Sequence, residues 1–312
     1  MRRHAVWLAV VALAVLFVFA NAGLDFAYVI PKRLARLAAM VIGGVCVACS
    51  AIAFQTLSGN RILTPAVMGY EAVYLLLHAL LVLYMGVQGL VVLGTDGHFM
   101  LAVLVMLGYS WSLHRWLFRD GRSNVYFLLL VGLVLTMVMA TVTQFVQLKV
   151  SPGEFSMLQG FTQASFNRPQ PRVLLYSAVV VALVCAVLAR TLPLLDVLSL
   201  GRDQAISLGV DYQRQVRLQL ALIAALVAVS TSLLGPTAFM GVFVANITYA
   251  LAGTFRHRVT LALGSAVAIA VFIAAQLLVE HVFNYKTTVG ILVNLVCGTY
   301  FLALMVRTRG AS

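Results

Sequence analysis

Three polar residues share one face of an otherwise apolar stretch. Glu71, Tyr74 and His78 stand at i, i+3 and i+7, which stacks them along a helix. A carboxylate, a phenol and an imidazole so placed can line a path for a polar solute. They can equally tie one helix to its neighbours by hydrogen bonds, and the spacing leaves both readings open. Polar groups in hydrocarbon are costly, so each one inside an apolar run is a functional candidate by default. Gln276 and Glu280 repeat the pattern at i, i+4, where packing between helices is the simpler role. Asn246 and Asn294 are placed to hydrogen-bond across helices, and Gln144 and Gln147 to line a path. A second kind of chemistry is positive charge. Lys32, Arg33 and Arg36 cluster at the start of an apolar run, the two arginines on one helix face. Such side chains either snorkel to the membrane surface or form a cationic patch for an acidic partner.

The sequence carries no catalytic set. It has no G-x-x-x-x-G-K-S/T phosphate loop, no H-E-x-x-H, no Ser/His/Asp set and no paired carboxylates in a recognisable motif. Cys46 and Cys49 form a C-x-x-C, but no second pair accompanies them. With Cys185 and Cys297 they fall inside apolar runs and read as small buried hydrophobes, with no metal. The expectation is a chain that is not an enzyme and binds no cofactor of its own.

The elements that must hold these residues are membrane spans. Of the 312 residues, 62% are hydrophobic and 10% charged, with a mean hydropathy of +1.02. A soluble domain would carry about 25% charged residues. The apolar residues fall into blocks of about 20, the length that crosses a bilayer as helix. Ten such blocks are read, over 5–21, 34–57, 66–85, 98–118, 124–147, 173–190, 214–234, 238–253, 260–280 and 289–306. The fold class is all-α: a polytopic membrane protein of about ten transmembrane helices, forming a single domain over 1–312. The first block follows Arg2 and Arg3, and Ala20-Asn21-Ala22 offers an A-x-A-like cleavage site. The many spans that follow favour an uncleaved first helix. The net charge of +12 belongs to loops and does not argue for nucleic acid. With the N-terminus inside, fourteen Lys and Arg, among them Arg119 and Arg122, lie on the inner side against seven, Arg168 included, on the outer. Both termini are therefore expected in the cytoplasm. The second block is rich in small residues, and its Ala39/Gly43 and Gly44/Ala48 pairs allow close helix contact. It is expected at the centre of the bundle. The outer stretch 149–172 mixes Phe155, Phe161 and Phe166 with Gly and Pro, and reads as a partly ordered loop with a short helix.

One polar interruption differs from a plain loop. Over 193–213, Leu194, Leu195, Val197, Leu198 and Leu200 precede Gly201, and Ala205–Leu208 precede Gly209. Two short amphipathic helices joined by a glycine turn fit this pattern. Leucines presented at the cytoplasmic surface fit a docking element for a soluble partner, or an interfacial helix resting on lipid.

Three separated stretches resemble one family. The first, from Arg33 to Ala72, has an R-x-x-R at Arg33 and Arg36, a small-residue helix with Gly43 and Gly44, then Gln55, Asn60, Pro65 and Gly69. The second, from Gly201 to Gly209, is similar to a G-x-x-A-x-x-L-G loop through Gly201, Ala205, Leu208 and Gly209. The third is GPTAFMGVFVAN followed by FRHR, matching through Gly235, Phe239, Gly241, His257 and Arg258. The chain resembles the inner-membrane permeases of binding-protein-dependent ABC importers for iron-siderophores, haem and cobalamin. Arg61, Ala245-Asn246 and Tyr285–Gly290 depart from the family pattern. Those departures, with the NRILTP and ASFNR stretches, look like the subgroup serving catecholate siderophores. The resemblance implies a permease subunit in a bacterial inner membrane, moving a ferric siderophore. It implies a second permease copy or a paralogue, and two cytoplasmic ATPase subunits that hold ATP and Mg. An extracytoplasmic binding protein completes the set. The resemblance assigns Gly201, Ala205, Leu208 and Gly209 to ATPase coupling, and Arg33 and Arg36 to docking of the binding protein; the apolar surface of the same loop adds Leu195 and Leu198 to the expected ATPase contact. The alternatives are an ion- or proton-coupled secondary transporter, with Glu71 as its intramembrane acid, or an ABC permease for haem or cobalamin.

Overall fold

The computed structural model describes residues 2–20, 28–117, 125–167, 170–237 and 239–309. Arg119, Arg122, Arg168 and most of the A-x-A-like site lie outside the described residues. In chain order the helices are α1 (Arg2–Phe19), α2 (Val29–Ser58), α3 (Tyr70–Leu117), α4 (Val125–Gln147), α5 (Pro152–Phe161) and α6 (Pro171–Leu198). They continue with α7 (Arg202–Ser207), α8 (Tyr212–Leu234), α9 (Met240–Ala252), α10 (His257–His281) and α11 (Val289–Arg309). A 3-10 turn, Pro65–Met68, precedes α3. Among the described residues all regular structure is helical.

α3 is two limbs in one. Gly86 (φ 62°, ψ −171°) and Gly94 (φ 63°, ψ 174°) adopt backbone angles closed to residues with a Cβ, and they separate apolar limbs Tyr70–Gly86 and Val91–Arg115. With the limbs counted apart and α5 and α7 set aside, a helix stands at each of the ten expected positions; among the described residues six are long and apolar enough to cross a membrane, and four are shorter apolar helices. The third begins later than its apolar run: Pro65 opens the 3-10 turn and Gly69, at φ 88°, breaks it before Tyr70. α6 overruns the expected end at 190 by two turns. Pro193 sits inside it, and the first residue that lets the chain turn is Gly201 at φ 100°. The leucine run 194–198 is thus the end of α6 rather than a separate short helix. α7 alone is the short helix of the pair.

α2, α8 and α10 form the centre, with 78%, 72% and 61% of their apolar windows buried. The second limb of α3, α4 and α6 are peripheral, at 17%, 22% and 28%. Small residues make the centre possible. A Cβ on Gly43 would overlap the Leu234 side chain of α8, and one on Gly44 would sit 2.8 Å from Ile269 Cγ1 and 3.1 Å from its backbone nitrogen on α10. Helices approach that closely only where one of the facing residues has no side chain. The bundle has two ends. One carries α7 with the starts of α8 and α10. The other carries α5, the end of α10 and the loop before α11.

α5 is the short helix expected in 149–172. Ser151 starts it: its hydroxyl accepts from the Glu154 backbone N–H at 3.4 Å, and Glu154 Oε2 accepts from the Ser151 N–H at 3.0 Å. This reciprocal capping box satisfies two N–H groups that a helix start leaves open.

Candidate transport and docking sites

At the α7 end, two glycines shape the surface. Gly201 and Gly209 have φ of 100° and 81°, so the chain reverses on each side of α7 where a Cβ would strain the backbone. Between them the apolar residues divide by direction. Leu195, Leu198 and Ala205 are buried, and Leu200, Ile206 and Leu208 are half or more exposed. Of the leucines expected to touch a partner, Leu195 and Leu198 are therefore unavailable, as is Ala205. They face the bundle because α6 continues into this region and packs that side inward. The apolar surface open to a partner is Leu200, Ile206 and Leu208.

A polar joint stands behind this surface. Asp196 Oδ1, on the last turns of α6, accepts from the His257 backbone N–H at 2.8 Å and lies 2.6 Å from His257 Nδ1. His257 Nε2 lies 2.7 Å from the Thr56 hydroxyl of α2. One imidazole so joins α6, α10 and α2. Its partners are 61 and 201 residues away, so no local spacing announces it. Arg61 has a structural reason here as well. Its guanidinium lies 5.0 Å from the Tyr249 ring centroid and 5.8 Å from that of Phe255. Its carbonyl accepts from Gln55 at 2.8 Å and from Asn246 at 3.3 Å. Two departures from the family pattern, Arg61 and Asn246, therefore touch each other.

At the α5 end, Arg33 and Arg36 do not form a free cationic patch. Arg36 Nη1 lies 3.1 Å from Glu280 Oε1, and Arg33 Nη2 lies 3.9 Å from Glu280 Oε2. Glu280 also accepts from Gln276 Nε2 at 2.7 Å. Arg33 Nη1 donates to the carbonyls of Phe17, Val18 and Ala20 at 2.7, 3.4 and 2.5 Å. The side chains of Arg33 and Glu280 are only 12% and 5% exposed. An internal carboxylate, supplied by α10 from 244 residues away, pairs with these cations inside the chain. Arg36, at 26% exposed, still reaches the surface. Lys32 stays exposed and pairs with the hydroxyl and ring of Tyr28.

The third-span face splits between two cavities. Tyr74 and His78 are buried and line a cavity of about 350 Å³ under α5, together with His98, Phe161 and Ser232. The His78 ring lies 4.3 Å from both the Tyr74 and Phe161 rings. Glu71 turns the other way. Its Oε1 accepts from the Thr237 backbone N–H at 2.8 Å, and it lines a separate cavity of about 30 Å³ between α2 and α8. The three residues do not form one wall. A third cavity, about 420 Å³, has polar walls that include Gln159, Gln163, Asn167, Gln276 and Thr288. Among the described residues no group of three His, Cys, Asp or Glu side chains is placed to hold a metal ion.

The structure of a metal-chelate type ABC transporter in an inward-facing conformation superposes with a TM-score of 0.86 at 19% identity, over 98% of both chains. That likeness shows the fold. The petrobactin import system permease protein YclO of Bacillus subtilis is 33% identical over 302 residues, 97% of this chain and 95% of that protein. The petrobactin import system permease protein FatC of Bacillus anthracis is 32% identical over 285 residues, covering 91% and 80%. The ferric enterobactin transport system permease protein FepG of Escherichia coli is 26% identical over 287 residues, covering 88% and 81%. The model of the FecCD transport family matches residues 5–307; this multi-pass chain belongs to the FecCD transport family.

Proposed function

We propose that this chain is the permease subunit of an ABC importer that carries a ferric siderophore of the catecholate type across a bacterial cytoplasmic membrane. The observation that carries the reading is similarity along nearly the whole chain to a petrobactin import permease, at 33% identity. The permease does no chemistry. ATP and Mg are held by two cytoplasmic ATPase subunits, and a binding protein outside the membrane delivers the chelate. Both termini lie in the cytoplasm, which places α7 on the ATPase side and α5 on the binding-protein side.

Leu200, Ile206 and Leu208 give an apolar contact for each ATPase. Gly201 and Gly209 let α7 turn as a unit, while Leu195, Leu198 and Ala205 anchor it to the bundle. Movement of the ATPases then passes through α6 and the Asp196–His257–Thr56 joint into α10 and α2. A small shift there selects between two packed arrangements of the helices. A second permease, a copy or a paralogue, completes the pathway. Gln144 on α4 and Asn294 on α11 are exposed on otherwise apolar helices, and polar groups facing lipid are unfavourable. Those faces fit a pathway or a partner better than they fit lipid.

The test is purification of the chain from its native membrane followed by identification of the bound chains. Recovery of an ATPase and a second permease is the expected result. A chain that purifies alone, from membranes where it supports uptake, contradicts the proposal.

A further inference from the structure

The small cavity beside Glu71 is built like an ion site. α2 and α8 pass on one side of it. On the other the chain is broken twice, at the 3-10 turn Pro65–Met68 and at residues 235–237 beyond the end of α8. Its volume is about 30 Å³, which is room for a single water-sized occupant. Its polar lining residues are Ser50, Thr64, Glu71, Ser230, Thr231 and Thr237.

That lining is rich in oxygen atoms. The Ser50 hydroxyl donates to Val47 O at 3.3 Å and the Ser230 hydroxyl to Val227 O at 3.2 Å. With their protons committed to the helix backbone, both oxygens have only lone pairs left to offer. Thr231 is 1% exposed, and its Oγ1 has no hydrogen-bond partner. A buried polar atom left so is unfavourable unless something occupies the cavity it faces. Glu71 contributes a carboxyl group that accepts from the Thr237 N–H. No Lys, Arg or His is among the lining residues. Hydroxyl oxygens and one carboxyl group line a space for one small occupant. A water can donate only two of the hydrogen bonds these oxygens would accept, and it gives an ionised Glu71 no counter-charge. A monovalent cation meets both needs, whereas a divalent one would leave an unpaired positive charge in a low-dielectric site.

We propose that the Glu71–Thr231 cavity binds one monovalent cation of sodium size, held by Glu71 and by the hydroxyl oxygens of Thr231, Ser50 and Ser230. The bound ion fixes both chain breaks against α2 and α8. This goes beyond ATP-driven import, which requires no such ion, and it stands whether or not the partner ATPases are identified.

The experiment uses the purified full-length protein in detergent. Equilibrium binding of radioactive sodium is measured, and melting is followed in NaCl, KCl and choline chloride at equal ionic strength. The expected result is saturable binding approaching one sodium per chain, with melting raised more by sodium than by potassium or choline. Thr231→Val keeps the shape and removes one oxygen. It should weaken sodium binding about tenfold, the effect of losing one good polar partner. Glu71→Gln should abolish binding. If Glu71→Gln does not fold, Thr231→Val with Ser50→Ala carries the test, since both changes are small. The absence of saturable sodium binding in folded wild-type protein would overturn the proposal and leave a water, or a proton on Glu71, as the occupant. Binding of unchanged strength in the folded Thr231→Val and Ser50→Ala variants would overturn it too.

Discussion

Replacing Glu280 with Ala should destabilise the bundle more than any other single charge removal at the α5 end. Glu280 faces Arg36 at 3.1 Å and Arg33 at 3.9 Å, and its side chain is 5% exposed. Removing one partner of a buried pair typically costs 3–5 kcal/mol, because the other charge is left without compensation. Two features lower that figure here. The Arg36 side chain is 26% exposed, so water screens it once Glu280 is gone. Arg33 keeps three carbonyl acceptors. The net expectation is about 2–3 kcal/mol for Glu280→Ala. For a chain of this size that is roughly 3–5 °C in apparent melting temperature. Arg36→Ala should cost less, about 1–2 kcal/mol, since Glu280 keeps Arg33 and Gln276. The assay is melting of the purified protein by intrinsic fluorescence, for both single variants and the double variant, at low and high salt. The double-mutant cycle should return a coupling of at least about 1 kcal/mol, changing little with salt because Glu280 is buried. Melting of Glu280→Ala within about 1 °C of wild type, or a coupling below about 0.3 kcal/mol, would refute the reasoning and return the arginines to the role of exposed docking charges.

Other outcomes follow from the same structure. Leu208→Glu should abolish co-purification of the ATPase and ATP-driven uptake while the protein still folds, because Leu208 is 62% exposed; Ala205→Glu, at a buried position, should instead lower the yield of folded protein. Gly44→Val should prevent folding or lower the melting temperature by several degrees, because Ile269 backbone atoms leave no room for the side chain; overpacking of this kind typically costs about 1–3 kcal/mol. Asp196→Asn should destabilise by about 1–2 kcal/mol and reduce uptake more than ATP hydrolysis, since the joint to α2 and α10 loses its charge-assisted bond; equal loss of both activities counts against a transmitting role. The α5 start should loosen in acid. Bonds from the Ser151 hydroxyl and backbone N–H hold the Glu154 carboxyl below its usual range, so its stabilising effect is present above the unfolded carboxylate value and is lost as pH falls through the lower folded value. Hydrogen exchange at Phe155 should accelerate across that window, and Glu154→Gln should flatten the dependence.

How much of this was legible in the sequence depended on sequence distance. The small-residue pairs of α2 recur every four residues, and they correctly placed that helix at the centre, because helix contact is set by local periodicity. Gly201 and Gly209 announced the turns around α7 for a similar reason: only a residue without a Cβ sits easily at those angles. Arg190, Thr191 and Pro193 look like a helix terminus, yet α6 runs on to Leu198, because one proline leaves most of a helix's backbone bonds intact. Arg33 and Arg36 were recognised as misplaced positive charge. Their partner, Glu280, lies on a helix far along the chain, so only the packed structure shows the charge to be balanced inside the protein. The splitting of Glu71 from Tyr74 and His78 was hidden for another reason. The three share a helix stripe, but neighbouring elements divide that stripe between two cavities.

The central claim is transport of a ferric catecholate driven by ATP in a partner chain. The measurement that tests it most directly is uptake of radioactive ferric siderophore into liposomes holding this chain with its co-purified subunits and binding protein. The account predicts uptake that requires ATP inside the vesicle lumen corresponding to the α7 side, and that persists without any ion gradient. Uptake by this chain alone, driven by a sodium or proton gradient and indifferent to ATP, would contradict it.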